Sequence, residues 1–393
     1  MSTNVAISRR AVFAAAAFLP FLDAGSAWAQ APAITDEQRD AAIARLTALG
    51  IRAQANQPLR PNNLGTVTLV SMPPAMRTQV TDADLLHFRI LTRLGFLSLA
   101  GCTNLTAEGM THLLQLPVLK DLIVGHTTIG DAGVAALVPA PALENLTLEG
   151  ARNLTDAALG HVARMPRLVR AGLNMGSFTA SSIAQLKAST TLQEVNIATN
   201  PQLTDAALEH FGAMRTLRGL GLDDNAGING SGFNHLATLP ELARLSLMGT
   251  PATDEGFAKL AGSPKLEVLV ASRTRITDAA LSTIGQIRTI HTLQLDQGAI
   301  TDAGLAHLAN LTNMRTMSLV GTQVTDAGMR HLAGMPLQSI TLSNTRVGDA
   351  GLATLAGIRT LNNITIRQSA VTDAGVQAAM AVEGRHARLR ITK

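Results

Sequence analysis

One phrase recurs throughout this chain. "ITDAGLAHLANL" at 300–311 returns as "VTDAGMRHLAGM" at 324–335, as "LTDAALEHFGAM" at 203–214 and, without its histidine, as "ITDAALSTIGQI" at 276–287. Aligned on the Thr of this phrase, the anchors are Thr81, Thr106, Gly130, Thr155, Thr179, Thr204, Asn229, Thr253, Thr277, Thr301, Thr325, Gly348 and Thr372, 23 to 25 residues apart. A chain of 393 residues would ordinarily divide into domains, but a stacked array grows by adding units and has no natural core limit. The expectation is one continuous array. With 46% hydrophobic but only 3% aromatic residues, its core must be built from aliphatic side chains of nearly uniform size, which suits identical layers.

Ahead of each anchor stands a phrase of the form LxxLxL: "LGFLSL" from Leu94, "LKDLIV" from Leu119, "LENLTL" from Leu143, "LQEVNI" from Leu192, "LARLSL" from Leu242 and "LNNITI" from Leu361. "LGTVTL" from Leu64 reads as the leading copy. Alternation of its fourth and sixth residues with polar or small ones predicts a strand with one buried face. Three residues after the strand comes a small residue, often a hydrogen-bonding one: Cys102, Thr127, Asn200, Asn225, Thr250, Thr274, Thr322, Thr345 or Ser369. The chain bends there, and short polar side chains can satisfy the backbone groups that leave the sheet. Cys102 reads as one rung of that ladder rather than as a reactive thiol, since no His, Lys or helix start is evident to activate it.

The phrase then turns into a helix. Thr301 is placed to cap its free amides, Asp302 to complement the positive end of its dipole, and Leu305, Leu308 and Leu311 to face the core. Asp302 and His307 lie five residues apart, which at about 100° per residue puts them on different faces. They form no acid–base pair.

A period near 24 with LxxLxL followed by Asn, Cys or Thr resembles the leucine-rich repeat, and the tail "ITDAGLxHLAxL" is similar to the cysteine-containing subtype of F-box substrate receptors and of bacterial exported repeat proteins. The resemblance covers about residues 64 to 393. It implies an α/β fold, a right-handed solenoid or horseshoe with a parallel sheet on the concave face and helices on the convex face, and a non-enzymatic scaffold role. The segment ahead of the repeats is too short for an F-box, and the bend ladder favours Thr and Asn over Cys. A ubiquitin-ligase-receptor or effector role is therefore the least favoured.

Residues 1–29 read as a signal peptide: Arg9 and Arg10, an Ala/Phe/Leu stretch, and an A-x-A site at Ala27, Trp28 and Ala29. Ser8, Arg9 and Arg10 also resemble the opening of a twin-arginine signal, so both Sec and twin-arginine export are open. Pro20 and Asp23 interrupt the apolar stretch, and no transmembrane segment is expected after cleavage. The single cysteine means that an exported chain is stabilised by packing, without an intramolecular disulfide. Residues 30–63 read as an N-terminal helical cap and linker, with Thr35 capping, Asp36 and Glu37 in the first turn, Ile43, Leu46 and Leu49 apolar, and Gly50 as the stop. At the other end Leu389 and Ile391 point inward and Arg385, Arg388, Arg390 and Lys393 outward, a charged edge that discourages end-to-end pairing.

Candidate chemistry is sparse. His87, His112, His161, His210, His235, His307 and His331 each fall six residues after an anchor, but zinc ligands converge to about 2 Å from one ion whereas neighbouring helices pack roughly 8–10 Å apart. Asp223, Asn225 and Asn229 fall short of a calcium loop because no acidic residue closes it. Neither a phosphate-binding loop, nor HExxH, nor GxSxG occurs. No catalytic residue, cofactor or metal is expected. The net charge of +4 comes from scattered arginines without aromatics beside them, so no nucleic-acid partner is expected either.

The informative residues are those that the repeat leaves free on the concave strands, where neighbours lie about 4.8 Å apart and form rows. One row reads Asp121, Asn145, Arg170, Glu194, Gly219, Arg244; the next Ile123, Thr147, Gly172, Asn196, Gly221, Ser246; Glu149, Asn174 and Asp223 line a third. Later rows are rich in Thr and Ser: Thr316, Ser318, Ser339, Thr341. Asp121, Asn145, Glu149, Arg170, Glu194, Asn196, Asp223 and Arg244 are the candidate partner-binding residues, set against the plainer reading that Arg170 and Glu194 pair across strands and solubilise the sheet. The functional expectation is an exported scaffold, periplasmic or secreted, with a protein partner. The alternative is recognition of envelope glycan or anionic lipid, motivated by the basic C-terminal edge.

Overall fold

The computed structural model describes residues 34–150, 153–382 and 388–393; the signal peptide expected over residues 1–29 and the edge residue Arg385 lie outside them. Among the described residues the chain forms one 14-stranded parallel sheet in strict sequence order. Its strands are β1 Leu69–Ser71, β2 Phe96–Ser98, β3 Asp121–Ile123, β4 Asn145–Thr147, β5 Arg170–Gly172, β6 Glu194–Asn196 and β7 Gly219–Gly221. They continue as β8 Arg244–Ser246, β9 Val268–Val270, β10 Thr292–Gln294, β11 Thr316–Ser318, β12 Ser339–Thr341, β13 Asn363–Thr365 and β14 Arg390–Thr392. Each pair from β2–β3 to β12–β13 is joined through one short helix on the opposite face, such as Asp302–Leu308 between β10 and β11, and β1–β2 through the helix Asp82–His87 with a 3-10 turn at Pro74–Met76 and another at Phe88–Ile90.

The layering follows from the strand phrase. From β1 to β13 the middle residue of each strand is buried while its two neighbours face outward, as in Leu97 between Phe96 and Ser98 or Leu245 between Arg244 and Ser246. Burial of each such Leu contributes about 1.5–3 kcal/mol. A helix of five to eight residues such as Phe233–Ala237 or Asp156–Ala163 cannot hold itself in water. Leu305, Leu308 and Leu311 are fully buried, so stacking on the neighbouring layers supplies what length does not.

The leading copy departs from expectation. Leu64 and Val67 are buried, but Leu69 is 61% exposed, while Val70 and Met72 point inward. Val70 pairs with Leu97, so the phrase in register is "VTLVSM" from Val67 rather than "LGTVTL" from Leu64. A three-residue slip leaves the sixth residue of the misread phrase on the outer face.

The bend ladder is present. Thr127, Thr250, Thr274, Thr322, Thr345 and Ser369 each donate a hydroxyl to the carbonyl three residues earlier, at 2.6–2.8 Å. Asn200 and Asn225 are fully buried and bind carbonyls of two successive repeats, Asn200 reaching Leu173 and Ile197, Asn225 reaching Ile197 and Leu222. Just before each rung the backbone turns left-handed. Four glycines take this position, Gly101, Gly150, Gly249 and Gly321, but so do His126, Met175, Thr199, Asp224, Arg273, Gln297, Asn344 and Gln368, with φ between 53° and 58°. A side chain there costs about 1–2 kcal/mol. From Gly101 to Asn344 the turn aims each N–H at a carbonyl of the next repeat, as from Thr199 to Asp223 at 2.8 Å, and this offsets the strain.

Helix starts follow the anchors at Thr106, Thr155, Thr179, Thr277, Thr301 and Thr325, whose hydroxyls accept the amide two residues on. Three anchors shift. The helices begin at Gly130 itself, at Ala206 after Thr204, and only at Phe233 after Asn229. In the last case Asp205 of the preceding repeat accepts the amides of Asn229, Gly230 and Gly232, holding an open turn in place of the first helical turn.

Over the first layer lies α1, Asp36–Ala48, opened by a reciprocal capping box between Thr35 and Gln38 and closed at Leu49 and Gly50. Leu46 and Leu49 are fully buried. Arg45 of α1 grips the buried Asp84 of α2, Asp82–His87, at 2.6 and 3.0 Å. Burial pushes the Asp84 carboxyl up, but the bonds from Arg45 and Thr81 outweigh it and hold it below the usual carboxylate range. At the far end β14 pairs with β13, Leu389 is buried and Ile391 half-buried.

Candidate partner-binding surface

The expected row is in register. Asp121, Asn145, Arg170, Glu194, Gly219 and Arg244 are successive partners from β3 to β8. Their side chains form one chain of bonds: Asn145 donates to Asp121, Arg170 to Asn145 at 3.1 Å and to Glu194 at 3.2 Å, and Arg244 to the other oxygen of Glu194. The last contact skips a strand. Gly219 stands between the two partners, and a Cβ there would sit 3.4 Å from Glu194 and 3.5 Å from Arg244. The sequence suggested only the neighbouring pair Arg170 and Glu194; a second arginine reaches the same carboxylate across Gly219, where a Cβ would only touch the two partners and a longer side chain would crowd them.

The second row carries Gly172, Asn196, Gly221 and Ser246 in register. With two glycines, β7 presents no side chain to the concave face, whereas β9 presents Val268 and Val270. Between them lies a hollow of about 410 Å³ lined by Arg170, Gly172, Glu194, Asn196, Gly219, Gly221, Arg244, Ser246, Val268 and Val270. Asn196 is exposed at its rim.

The third row has a different occupation. Asp223 accepts from the Ser246 hydroxyl at 2.5 Å and the Met248 amide at 2.8 Å, and Asp296 repeats the arrangement with Ser318 and Val320. Asn174 accepts the Ala198 amide at 2.8 Å. Asp223 therefore ties one repeat to the next, while Glu149 sits half-buried at the equivalent turn. Beside it Asp224 bonds Arg273 at 3.1 Å across Gly249, a second bridge that skips a repeat through a glycine.

The remaining candidates do not converge. The seven histidines take their places on the convex helices, with burial pushing His87 down; among the described residues no three His, Cys, Asp or Glu side chains are grouped to hold a metal ion. Asp223, Asn225 and Asn229 each serve separate local bonds, Asn229 accepting the Ser231 amide at 3.0 Å. Cys102 is fully buried, and burial pushes its thiol up to about 11. No helix among the described residues is long and apolar enough to cross a membrane.

A family model for the leucine-rich repeat matches residues 115–138. Among solved structures the chain is similar to an internalin, InlF, from Listeria monocytogenes, at 20% identity and a TM-score of 0.57 over 90% of this chain and 94% of that one. It is similar to a chain of the yeast Rad7 and Elc1 complex, at 17% identity and 0.52 over 90% and 88%. To a chain of the TLR13–ssRNA13 complex the figures are 20% and 0.55 over 77% and 43%. No curated protein matches. The chain has the fold of a leucine-rich-repeat solenoid, with a parallel sheet on one face and helices on the other.

Proposed function

We propose that this chain is a non-enzymatic, exported scaffold that binds a protein partner on its concave sheet, around Asp121, Asn145, Glu149, Arg170, Glu194, Asn196, Asp223 and Arg244. Residues 1–29 are its signal peptide, 30–63 its N-terminal cap and linker, and 64–393 its repeat array, working in the periplasm or outside the cell. The observation that carries the reading is the bonded row from Asp121 to Arg244. Repeat positions committed to core, cap and bend cannot specify a partner, and this row is where the free positions carry the most charge and the most fixed geometry. Asp223 contributes by shaping the turn rather than by presenting a free carboxylate.

The test compares capture from envelope extract by the mature chain, by an Arg170→Ser/Arg244→Ser variant and by His307→Ser on the convex side. Loss of partner with the concave pair alone supports the reading; loss with His307→Ser alone reverses the working face. The second reading, envelope glycan or anionic lipid, draws on the recess of Asn362, Asn363, Arg388 and Arg390 at the C-terminal end. Release of the envelope by moderate salt favours it, because exposed charges are screened within about 8–10 Å.

A further inference from the structure

The hollow beside the charged row narrows what kind of partner fits, and this inference rests on the concave-face reading above. Glycine in a strand weakens it and leaves room for another backbone to approach. Strand β7 has glycine at both of its outward positions, Gly219 and Gly221, and the β5 residue in the same row as Gly221 is Gly172. No other described strand is bare in this way. On the far side of β8, strand β9 presents two valines, both half-buried.

The charges at the hollow are Arg170, Glu194 and Arg244, two positive against one negative. Glu194 is bound on both sides, and its side chain is 34% exposed against 56% for Arg170 and 51% for Arg244. A guanidinium has more donors than these bonds use. Gly219 is buried beneath the bridge from Arg244 to Glu194, so the open floor is the half-buried backbone of Gly221 and Gly172. The site therefore has a partly open backbone floor, an aliphatic wall and cationic donors to spare, and no aromatic ring lines it on which a sugar would stack.

We infer that the hollow receives an extended segment of a protein partner, which lays its backbone over the Gly221 end of β7, seats one aliphatic side chain against Val268 and Val270 and offers a carboxylate to Arg244. Strands β8 and β9 are neighbours about 4.8 Å apart, so the aliphatic and acidic residues stand within two positions of each other. The partner chemistry is an acidic, aliphatic peptide.

A displayed library of random linear peptides selected on the mature chain tests this. The expected winners share an aliphatic residue with Asp or Glu within two positions, and bind about tenfold or more weakly to Gly221→Val, which fills the floor, and to Val268→Thr/Val270→Thr, which makes the aliphatic wall polar. In Gly221→Val the new Cβ comes closest to the side-chain amide of exposed Asn196, at 2.7 Å, and lies at an ordinary 3.7 Å from its Cα; a melting curve of the variant confirms that it folds before binding is compared. Winners without that pair, winners indifferent to both variants, or no winners at all overturn the inference. If Arg170→Ser/Arg244→Ser still loses the envelope partner, the concave-face reading survives that failure; if it keeps the partner, the face itself is wrong.

Discussion

The carboxylate of Asp302 accepts both the backbone N–H of Thr325, at 2.8 Å, and its hydroxyl, at 2.6 Å, one repeat further along the chain. The same reach joins Asp82 to Thr106, Asp131 to Thr155, Asp254 to Thr277, Asp278 to Thr301 and Asp349 to Thr372, with the N–H at 2.7 or 2.8 Å each time. Each threonine thus caps its own helix with its oxygen while its N–H and hydroxyl hydrogen are taken by the previous repeat. The acidic residue of the repeated phrase stitches layers together on the convex side.

Asp302→Ala is expected to cost about 1.5–3 kcal/mol, the range for hydrogen bonds to a charged group, and Asp302→Asn less because one acceptor remains. His307→Ser, on the same helix but exposed, is expected to stay within about 0.5 kcal/mol. Urea unfolding at neutral pH measures all three; equal loss in Asp302→Ala and His307→Ser would remove the stitching role.

The glycine of the phrase has its reason in the same contact. A Cβ on Gly304 would collide with the Asp278 carboxylate and press on Leu281 at 2.9 Å. Alanine should gain about 1 kcal/mol of helix propensity, yet Gly304→Ala is expected to destabilise. In an Asp278→Ala background the sign reverses and the alanine stabilises. A double-mutant cycle reads the coupling, and additivity of the two changes would count against the collision.

The cap should loosen in acid. Asp84 titrates below its unfolded value of about 3.9 because Arg45 and Thr81 hold its charged form. Its stabilising contribution is therefore fully present above pH 4 or so and is lost as pH falls through the lowered folded value. Asp84→Asn is expected to flatten that part of the curve of melting temperature against pH. Arg45→Met strands a buried carboxylate and is expected to cost about 1–3 kcal/mol, below a fully enclosed pair because Arg45 is partly exposed.

Cys102 is expected to resist alkylation by iodoacetamide at neutral pH until the protein unfolds, since its thiol is enclosed and titrates near 11. Cys102→Thr places a hydroxyl where the other repeats have one, in reach of the Leu99 carbonyl. It is expected to hold or raise stability by about 1 kcal/mol. Mass spectrometry after timed alkylation and a melting curve of the variant check the two halves.

The repeat, its strand and helix phases, the bend ladder and the row from Asp121 to Arg244 were legible in the sequence because each follows from a pattern copied at a fixed spacing, and the cap at Thr35 because a capping box is local to a few residues. What the sequence did not carry lies between repeats. The dipole explained an acidic residue after Thr301 but not that Asp302 serves Thr325, and nothing local marked Gly304 as the space for Asp278. The left-handed turns at Met175 and Arg273 have no glycine to announce them; the bond that each N–H makes to the next layer imposes them. Arg244 meets Glu194 across Gly219, where a longer side chain would crowd both, and Leu69 turned outward because pairing with Phe96, not the local phrase, set the register of the first strand. Periodicity specifies what a layer is made of, while the offset between stacked layers, a matter of side-chain reach across several ångströms, decides which residues meet.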